Sequence, residues 1–232
     1  MRQEVVLQSL KDITEINIDD GVTFKINGIT NIRLDDQYGG FQIKIVGKFD
    51  NIKHEFNVDI ATGDPIIPSE WDYSYECLLT GELLSIKAYS LESVVAEKLE
   101  TVFARQIANS RSKDFYDLYV LRKLKKDEFD KCLLQRAFLE SCKYRQLIIG
   151  KNEAISLLNE IGNNKQINDR WEAFTKRMKY ANNLAFNDVI TSILDWIMIF
   201  LIESSISGQR QIKKENYSPF KFCHFLQRIY RQ

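Results

Sequence analysis

Histidine is nearly missing from this chain: only His54 and His224 occur in 232 residues. Cysteine is scarce as well. Cys77, Cys132, Cys142 and Cys223 are scattered and include no C-x-x-C pair, so the ligand spacing of a zinc site is not there. Cysteines in this pattern are expected to stay reduced, as in a cytoplasmic protein. An excess of charge of either sign is also lacking, because 32 basic and 32 acidic residues cancel. The chain as a whole therefore has no electrostatic drive toward nucleic acid, although local basic patches stay open. No long apolar run exists. The most apolar stretch, Ile193 to Ile202, contains Asp195 and is too short to span a bilayer, so it reads as a buried helix and no membrane association is expected. The start, MRQEVVLQSLKD, has no apolar signal-peptide core and reads as an amphipathic helix. No repeat or low-complexity segment is evident. What remains is ordinary globular composition, 44% apolar and 28% charged, enough for one large domain or two small ones.

Along the chain, Val5, Val6 and Leu10 support a helix to about Lys11. The period then changes to two. Val22, Phe24 and Ile26 alternate with polar residues, as do Ile32 and Leu34, and Asn27-Gly28 between the runs predicts a hairpin turn. Tyr38-Gly39-Gly40 and Asp50-Asn51 are further turn signals, flanking a strand from Phe41 to about Phe49. Phe56, Val58 and Ile60 form the next strand, with Asn57 and Asp59 on its other face. Four short strands with tight connections predict a mostly antiparallel sheet. The segment from Ser69 to Glu82 reads as irregular, with a short strand around Leu83, Leu84 and Ile86. Beyond Leu121 the chain reads as helical: Asp127 to Lys143, Glu153 to Ile161, Trp171 to Tyr180 and Phe186 to Ser204. The tail from Gly208 mixes basic and aromatic residues, a composition that suits either a solvated tail ending in a docked helix or an RNA contact. The fold class expected is α+β, a sheet followed by a helical C-terminal half.

The stretch from Tyr89 to Leu121 organises the chain. Ser90 is a good helix N-cap, and Glu92 falls in the first turn, where negative charge suits the helix dipole. Leu91, Val94, Val95, Leu99, Val102 and Phe103 recur at helical steps. Lys98 lies within that stripe or at its edge, where a lysine either snorkels outward or meets an anion. After a turn at Asn109 to Ser112, a second helix is expected near Lys113, with Lys113, Asp114, Asp117 and Leu121 along one side. Two antiparallel helices so joined would gather Lys98, Lys113, Asp114 and Asp117. From spacing alone the cluster is either a set of surface ion pairs with a core-edge lysine, or an anion- or metal-handling site. Asp59 is likewise either a solvent-facing strand residue or a metal carboxylate.

Three blocks carry a family resemblance. Phe56-Asn57-Val58-Asp59-Ile60-Ala61-Thr62-Gly63-Asp64-Pro65-Ile66 is similar to the DI-x-x-GD-x-I strand and loop of the AbiEii/AbiGii toxin nucleotidyltransferases. Tyr89 through Leu99 resembles their Y-x-x-E…AEK helix, and Ser110 through Leu118 resembles their R-x-KD-x-x-D motif. The resemblance covers roughly residues 1 to 205. It implies a polymerase-β-type nucleotidyltransferase fold and a toxin of a toxin–antitoxin or abortive-infection system. Such a toxin transfers nucleotides from a nucleoside triphosphate (NTP) to RNA, with tRNA as the acceptor, and has a cognate antitoxin. The chemistry implies Mg2+ held by carboxylates and a cation at the triphosphate. Carried over by position, Asp59 would be a metal carboxylate and Lys98 would contact the triphosphate. Lys113, Asp114 and Asp117 would complete the site, with Glu92 and Glu97 anchoring the helix.

One family element is not matched. The GG-T/S turn and alternating D-x-D pair that supply phosphate-binding backbone and two metal carboxylates have no counterpart here: Asp19-Asp20 and Asp35-Asp36 are adjacent pairs, and Gly39-Gly40 precedes Phe41. Adjacent strand residues face opposite ways and cannot readily chelate one metal. The expectation is thus a truncated or degenerate member, weakly active or inactive, or else a non-catalytic remnant that binds RNA or the antitoxin. An unpaired sheet edge would favour a homodimer. The expected domains are a partial nucleotidyltransferase sheet at 1–88, a helical domain at 89–207 and a basic, aromatic tail at 208–232.

Overall fold

A computed structural model describes residues 2–32, 39–61, 63, 65–125 and 127–201, with side chains to 198. The expected tail at 208–232, the Asp35-Asp36 pair and the last residues of the helix expected to reach Ser204 lie outside them. The chain divides into two compact units, Met1–Asp64 and Pro65–Gln232.

The first unit is one helix on one sheet. Helix α1 (Gln3–Thr14) precedes strands β1 (Val22–Ile32), β2 (Gly40–Phe49) and β3 (Ile52–Ala61), which pair antiparallel in the order β1-β2-β3. Val6 and Leu10, one helical turn apart, are buried with Phe41, Ile43 and Ile45, which occupy alternate positions of the middle strand. The Asp50-Asn51 turn joins β2 to β3, with Phe49 opposite Ile52 and Asp50 at φ +50°, a left-handed conformation that aspartate tolerates. Gly40 is required by packing: a Cβ there would stand 2.8 Å from the Ile60 carbonyl oxygen.

The hairpin expected at Asn27-Gly28 is corrected. Val22–Ile32 is one strand, and the register to β2 shifts between Ile26 and Gly28. Asn27 is the extra residue of a β-bulge. It re-phases the strand, so that Ile29 follows Ile26 on the half-buried face after a step of three.

The second unit begins with a separate two-stranded antiparallel sheet, β4 (Trp71–Glu76) and β5 (Leu83–Ala88). Strand β4 replaces part of the segment expected to be irregular; its alternation rests on aromatic residues, with Tyr73 buried opposite Ile86. The division between the two units falls at 64/65. Six helices follow: α2 (Leu91–Arg105), α3 (Ser112–Lys125), α4 (Lys131–Tyr144), α5 (Lys151–Asn163), α6 (Lys165–Arg177) and α7 (Phe186–Leu201). The unit is α+β with a dominant helical core, and among the described residues no helix is long and apolar enough to cross a membrane.

Helix α2 is the hub. Its buried stripe, Val95, Leu99, Val102 and Phe103, packs on α3 and α4, and α7 closes the core with Ile193, Trp196 and Ile197. The Trp196 indole N–H donates to the Leu118 carbonyl at 3.1 Å, which ties α7 to α3. Ser90 caps α2 as expected, accepting from the Ser93 N–H at 3.1 Å. The Ser90 and Ser93 hydroxyls both donate to the Ile67 carbonyl at 2.8 Å, so the segment after residue 65 is fastened to the start of α2.

Glu92 anchors the same helix. It is 3% exposed, and its Oε1 accepts the Asp130 backbone N–H at 2.9 Å. Asp130 in turn caps α4 by accepting from the Leu133 N–H at 2.9 Å. This arrangement, with Phe129 held against Trp196 at 4.6 Å between centroids, explains why the helix expected from Asp127 starts only at Lys131. Burial pushes the Glu92 carboxyl above its ordinary range, and the Asp130 N–H opposes that only in part. The native state thus holds this proton more tightly than the unfolded chain does. The resulting contribution to stability is complete below about pH 4.3 and is lost as pH rises through the raised native value. Glu92→Gln keeps an acceptor for the Asp130 N–H and removes the buried charge. In urea unfolding we expect the variant to match or exceed the wild type by up to about 1 kcal/mol near neutral pH, with the advantage gone near pH 4. A variant markedly less stable near neutrality would show that the charge itself is needed.

Candidate functional site

The turn between α2 and α3 sets the geometry. A single 3-10 turn at Gln106–Ala108 ends α2, with Gln106 at φ +48°. Asn109 is buried, and its Oδ1 accepts the Arg111 N–H at 2.9 Å. The Asn109 carbonyl accepts from the Arg170 guanidinium at 3.2 Å, which fixes the turn to α6. With this connection short and pinned, the first turn of α3 lies beside the middle of α2.

Lys98 of α2 and Asp114 and Asp117 of α3 meet there. The Lys98 ammonium lies 2.9 Å from Asp114 Oδ1 and 2.7 Å from Asp117 Oδ2. Lys113 reaches the same Asp117 oxygen at 3.2 Å from one turn earlier. Side-chain exposure grades the four: 5% at Asp117, 15% at Asp114, 20% at Lys98 and 53% at Lys113. The cluster is therefore sealed at Asp117 and open at Lys113. Burial pushes the Lys98 ammonium toward deprotonation, but Asp117 and then Asp114 outweigh it, and its pKa ends above the ordinary lysine value. Lys98 is accordingly a permanent cation near neutral pH and has no free base to offer. Asp114 stands in the first turn of α3, where the helix dipole favours its negative charge.

The four residues expected together from spacing are thus in one cluster. Asp59, the fifth candidate, belongs to the first unit. It is exposed on the polar face of β3, and its Oδ1 accepts from Gln42 Nε2 at 2.9 Å. Two residues near the cluster gave no sequence signal. The Tyr116 hydroxyl donates to the Tyr180 carbonyl at 3.3 Å, and burial followed by the charge of Asp117 holds the Tyr180 phenol above its usual range. Those tyrosines are 64 residues apart, beyond any local periodicity.

The family comparison now bears on this geometry. The family model described as nucleotidyl transferase AbiEii toxin, type IV toxin–antitoxin system, matches residues 3–192. The chain belongs to the AbiEii toxin family. Membership implies a nucleotidyltransferase-like toxin and a cognate antitoxin. Among curated proteins none matches. Among solved structures, JHP933 from Helicobacter pylori is similar at 12% identity, covering 97% of this chain and 75% of its own, with a TM-score of 0.42.

The family suggests an NTP substrate and a divalent metal. Magnesium takes several oxygen ligands in near-octahedral geometry. Among the described residues no three His, Cys, Asp or Glu side chains are grouped to hold a metal ion, and Asp59 supplies a single carboxylate. Asp114 and Asp117 are turned onto Lys98. The described donor set does not by itself fit magnesium.

Removing the shared cation would leave two part-buried carboxylates facing each other. We expect Lys98→Met to lower the unfolding free energy by about 3 kcal/mol, whereas Lys113→Met, at the open end, should have little effect. The Lys98 contribution is present below the ordinary lysine value near pH 10.4 and is lost as pH rises through its raised native value. Urea denaturation of both variants, near neutral pH and in alkali, checks this. Equal losses at the two positions would show that the cluster is not built around Lys98.

Proposed function

We propose that this AbiEii-family chain acts as a toxin by transferring a nucleotide from an NTP to RNA, with tRNA as the acceptor class, Mg2+ as the metal and the cytoplasm as its location. In that reaction an RNA hydroxyl bonds to the α-phosphorus while the bond to pyrophosphate breaks. The protein's part is to position the triphosphate and neutralise it. Lys98 is the residue suited to this. It is a fixed cation rather than a base, and carboxylates on two successive turns of α3 hold its ammonium in place. Asp117, the more buried partner, keeps the ammonium oriented, and Asp114 yields its contact when phosphate oxygen arrives. Lys113 offers a second, solvent-facing charge.

The observation that carries this reading is the Lys98 ammonium held between Asp114 and Asp117. A second reading is a non-catalytic module that binds RNA or the antitoxin. Growth inhibition on expression, together with labelling of tRNA from a radioactive NTP, separates the two. We expect Lys98→Arg to fold but lose both activities by about 100-fold, because a planar fork does not reproduce a point charge between two carboxylates. Full toxicity in a folded Lys98→Arg or Lys98→Met variant would remove Lys98 from the site. Toxicity without labelled RNA would favour the second reading.

A further inference from the structure

Helix α6 runs beside the start of α3. Its Arg170 donates to the carbonyls of Ile107 and Asn109 at 3.5 and 3.2 Å, in the turn just before α3. One turn further on, Phe174 meets Tyr116, with ring centroids 6.1 Å apart. Past the helix end, Tyr180 packs on the same Tyr116 at 5.0 Å, and its carbonyl accepts the Tyr116 hydroxyl at 3.3 Å. The two helices therefore run in the same direction, residue 170 beside residue 109 and residue 180 beside residue 116.

This alignment gathers cations that lie far apart in the chain. Arg170 and Arg177 are two helical turns apart, so they share one side of α6 about 10 Å from each other along its axis. Both are exposed, as are Arg111 and Lys113 at the start of α3. Arg177 ends α6 next to the Lys98 cluster: Tyr180, three residues later, packs against the neighbour of Asp117. Burial and then the charge of Asp117 act on the Tyr180 phenol, and the charge of Arg177 opposes them. Lys113 reaches Asp117 from the other helix. The nearby acids do not offset this row. Asp114 and Asp117 are held on Lys98, and Glu172 is paired with Lys176, which leaves Asp169 as the one other acid of α6. Arg111, Arg170 and Arg177 have no acidic side-chain partner among the described residues. A chain without net charge thus carries a local basic row, with the half-buried Tyr180 ring at its end.

A row of exposed cations along one seam, longer than a single triphosphate spans, matches the repeating phosphates of a nucleic-acid strand. An aromatic ring among those cations adds a surface for a base. We propose that the seam between α3 and α6 is the track of the acceptor RNA, with Arg111, Lys113, Arg170 and Arg177 on its backbone phosphates and Tyr180 beside the end that reaches Lys98. The identification of the bound strand as the acceptor rests on the transfer reading; the binding itself does not. Lys98, the least exposed of these cations, is left for the triphosphate. The row brings substrate and nucleotide together at Asp117, where the two helices are closest to sharing a charge.

Fluorescence anisotropy of labelled bulk tRNA, titrated with the full chain without NTP over a range of salt, tests this. Arg177→Gln and Arg111→Gln should each weaken binding by about fivefold and lower the slope of log affinity against log salt by about one, the signature of a lost phosphate contact. Arg177→Lys should keep the slope. Lys176→Gln removes the same charge one residue away, on the side facing Glu172, and should change neither quantity. A wild type that does not bind tRNA overturns the proposal. So do folded Arg177→Gln and Lys176→Gln variants with equal losses, or an Arg177→Gln variant that keeps its tRNA affinity and salt slope. Polyglutamate bound as tightly as tRNA, and lost equally in Arg177→Gln, would assign the row to an acidic protein segment instead. Binding that follows these expectations in a chain that labels no RNA would leave the track standing and remove the transfer reading; labelling with binding indifferent to Arg177 and Arg111 would do the reverse.

Discussion

One ammonium between two carboxylates fixes how α2 and α3 face each other. The apolar contacts around it, among them Leu99, Val102, Phe115 and Leu118, supply most of the stabilisation, because burial of aliphatic and aromatic surface is the large term in folding. Apolar packing alone tolerates sliding by a turn or a modest rotation. The Lys98 contacts to Asp114 and Asp117 do not, because removing any partner strands a charge that burial makes costly. The cluster therefore contributes register more than net stability. A site that must hold a polyphosphate needs the same property, a cation whose place does not drift.

The charges along α2 divide into two kinds. At its first turn Glu92 faces a backbone N–H, and burial raises its pKa, so its role is to fasten the start of α4. Two turns later Lys98 faces full negative charges and has its own pKa raised by them. Both shifts are upward, yet they mean opposite things. Glu92 is a group whose charge is barely tolerated, and Lys98 is one whose charge is enforced. Only the second suits a role in which the side chain must stay ionised while substrate charge comes and goes.

Much of this was legible in the sequence because it depends on short spacings. Ser90 and the stripe through Val95, Leu99 and Val102 predicted α2, and steps of one and three placed Lys113, Asp114 and Asp117 on the facing side of α3. The short turn at Asn109 to Ser112 made their meeting with Lys98 foreseeable. What was not legible depends on partners far away in the chain. Nothing near Asp130 signals that Glu92, 38 residues earlier, takes its N–H and delays α4 to Lys131. The Tyr116–Tyr180 contact is of the same kind. Strand β4 was missed because its alternation rests on Trp71, Tyr73 and Tyr75, residues at home in strands and in irregular segments alike.

Asn27-Gly28 shows how one local signal can carry two physical meanings. Between two alternating runs the pair ordinarily reverses the chain, and reversal would bring the flanking strands side by side. Here β2 offers a buried apolar row, Phe41, Ile43 and Ile45, and Ile26 and Ile29, on either side of the interruption, both pack against it. The trace of this outcome is the step of three from Ile26 to Ile29, which a plain strand cannot make without turning a side chain to the wrong face. The bulge that accommodates it also spoils β1 as an edge. Strand β3, with no such step, pairs with β2 in unbroken register.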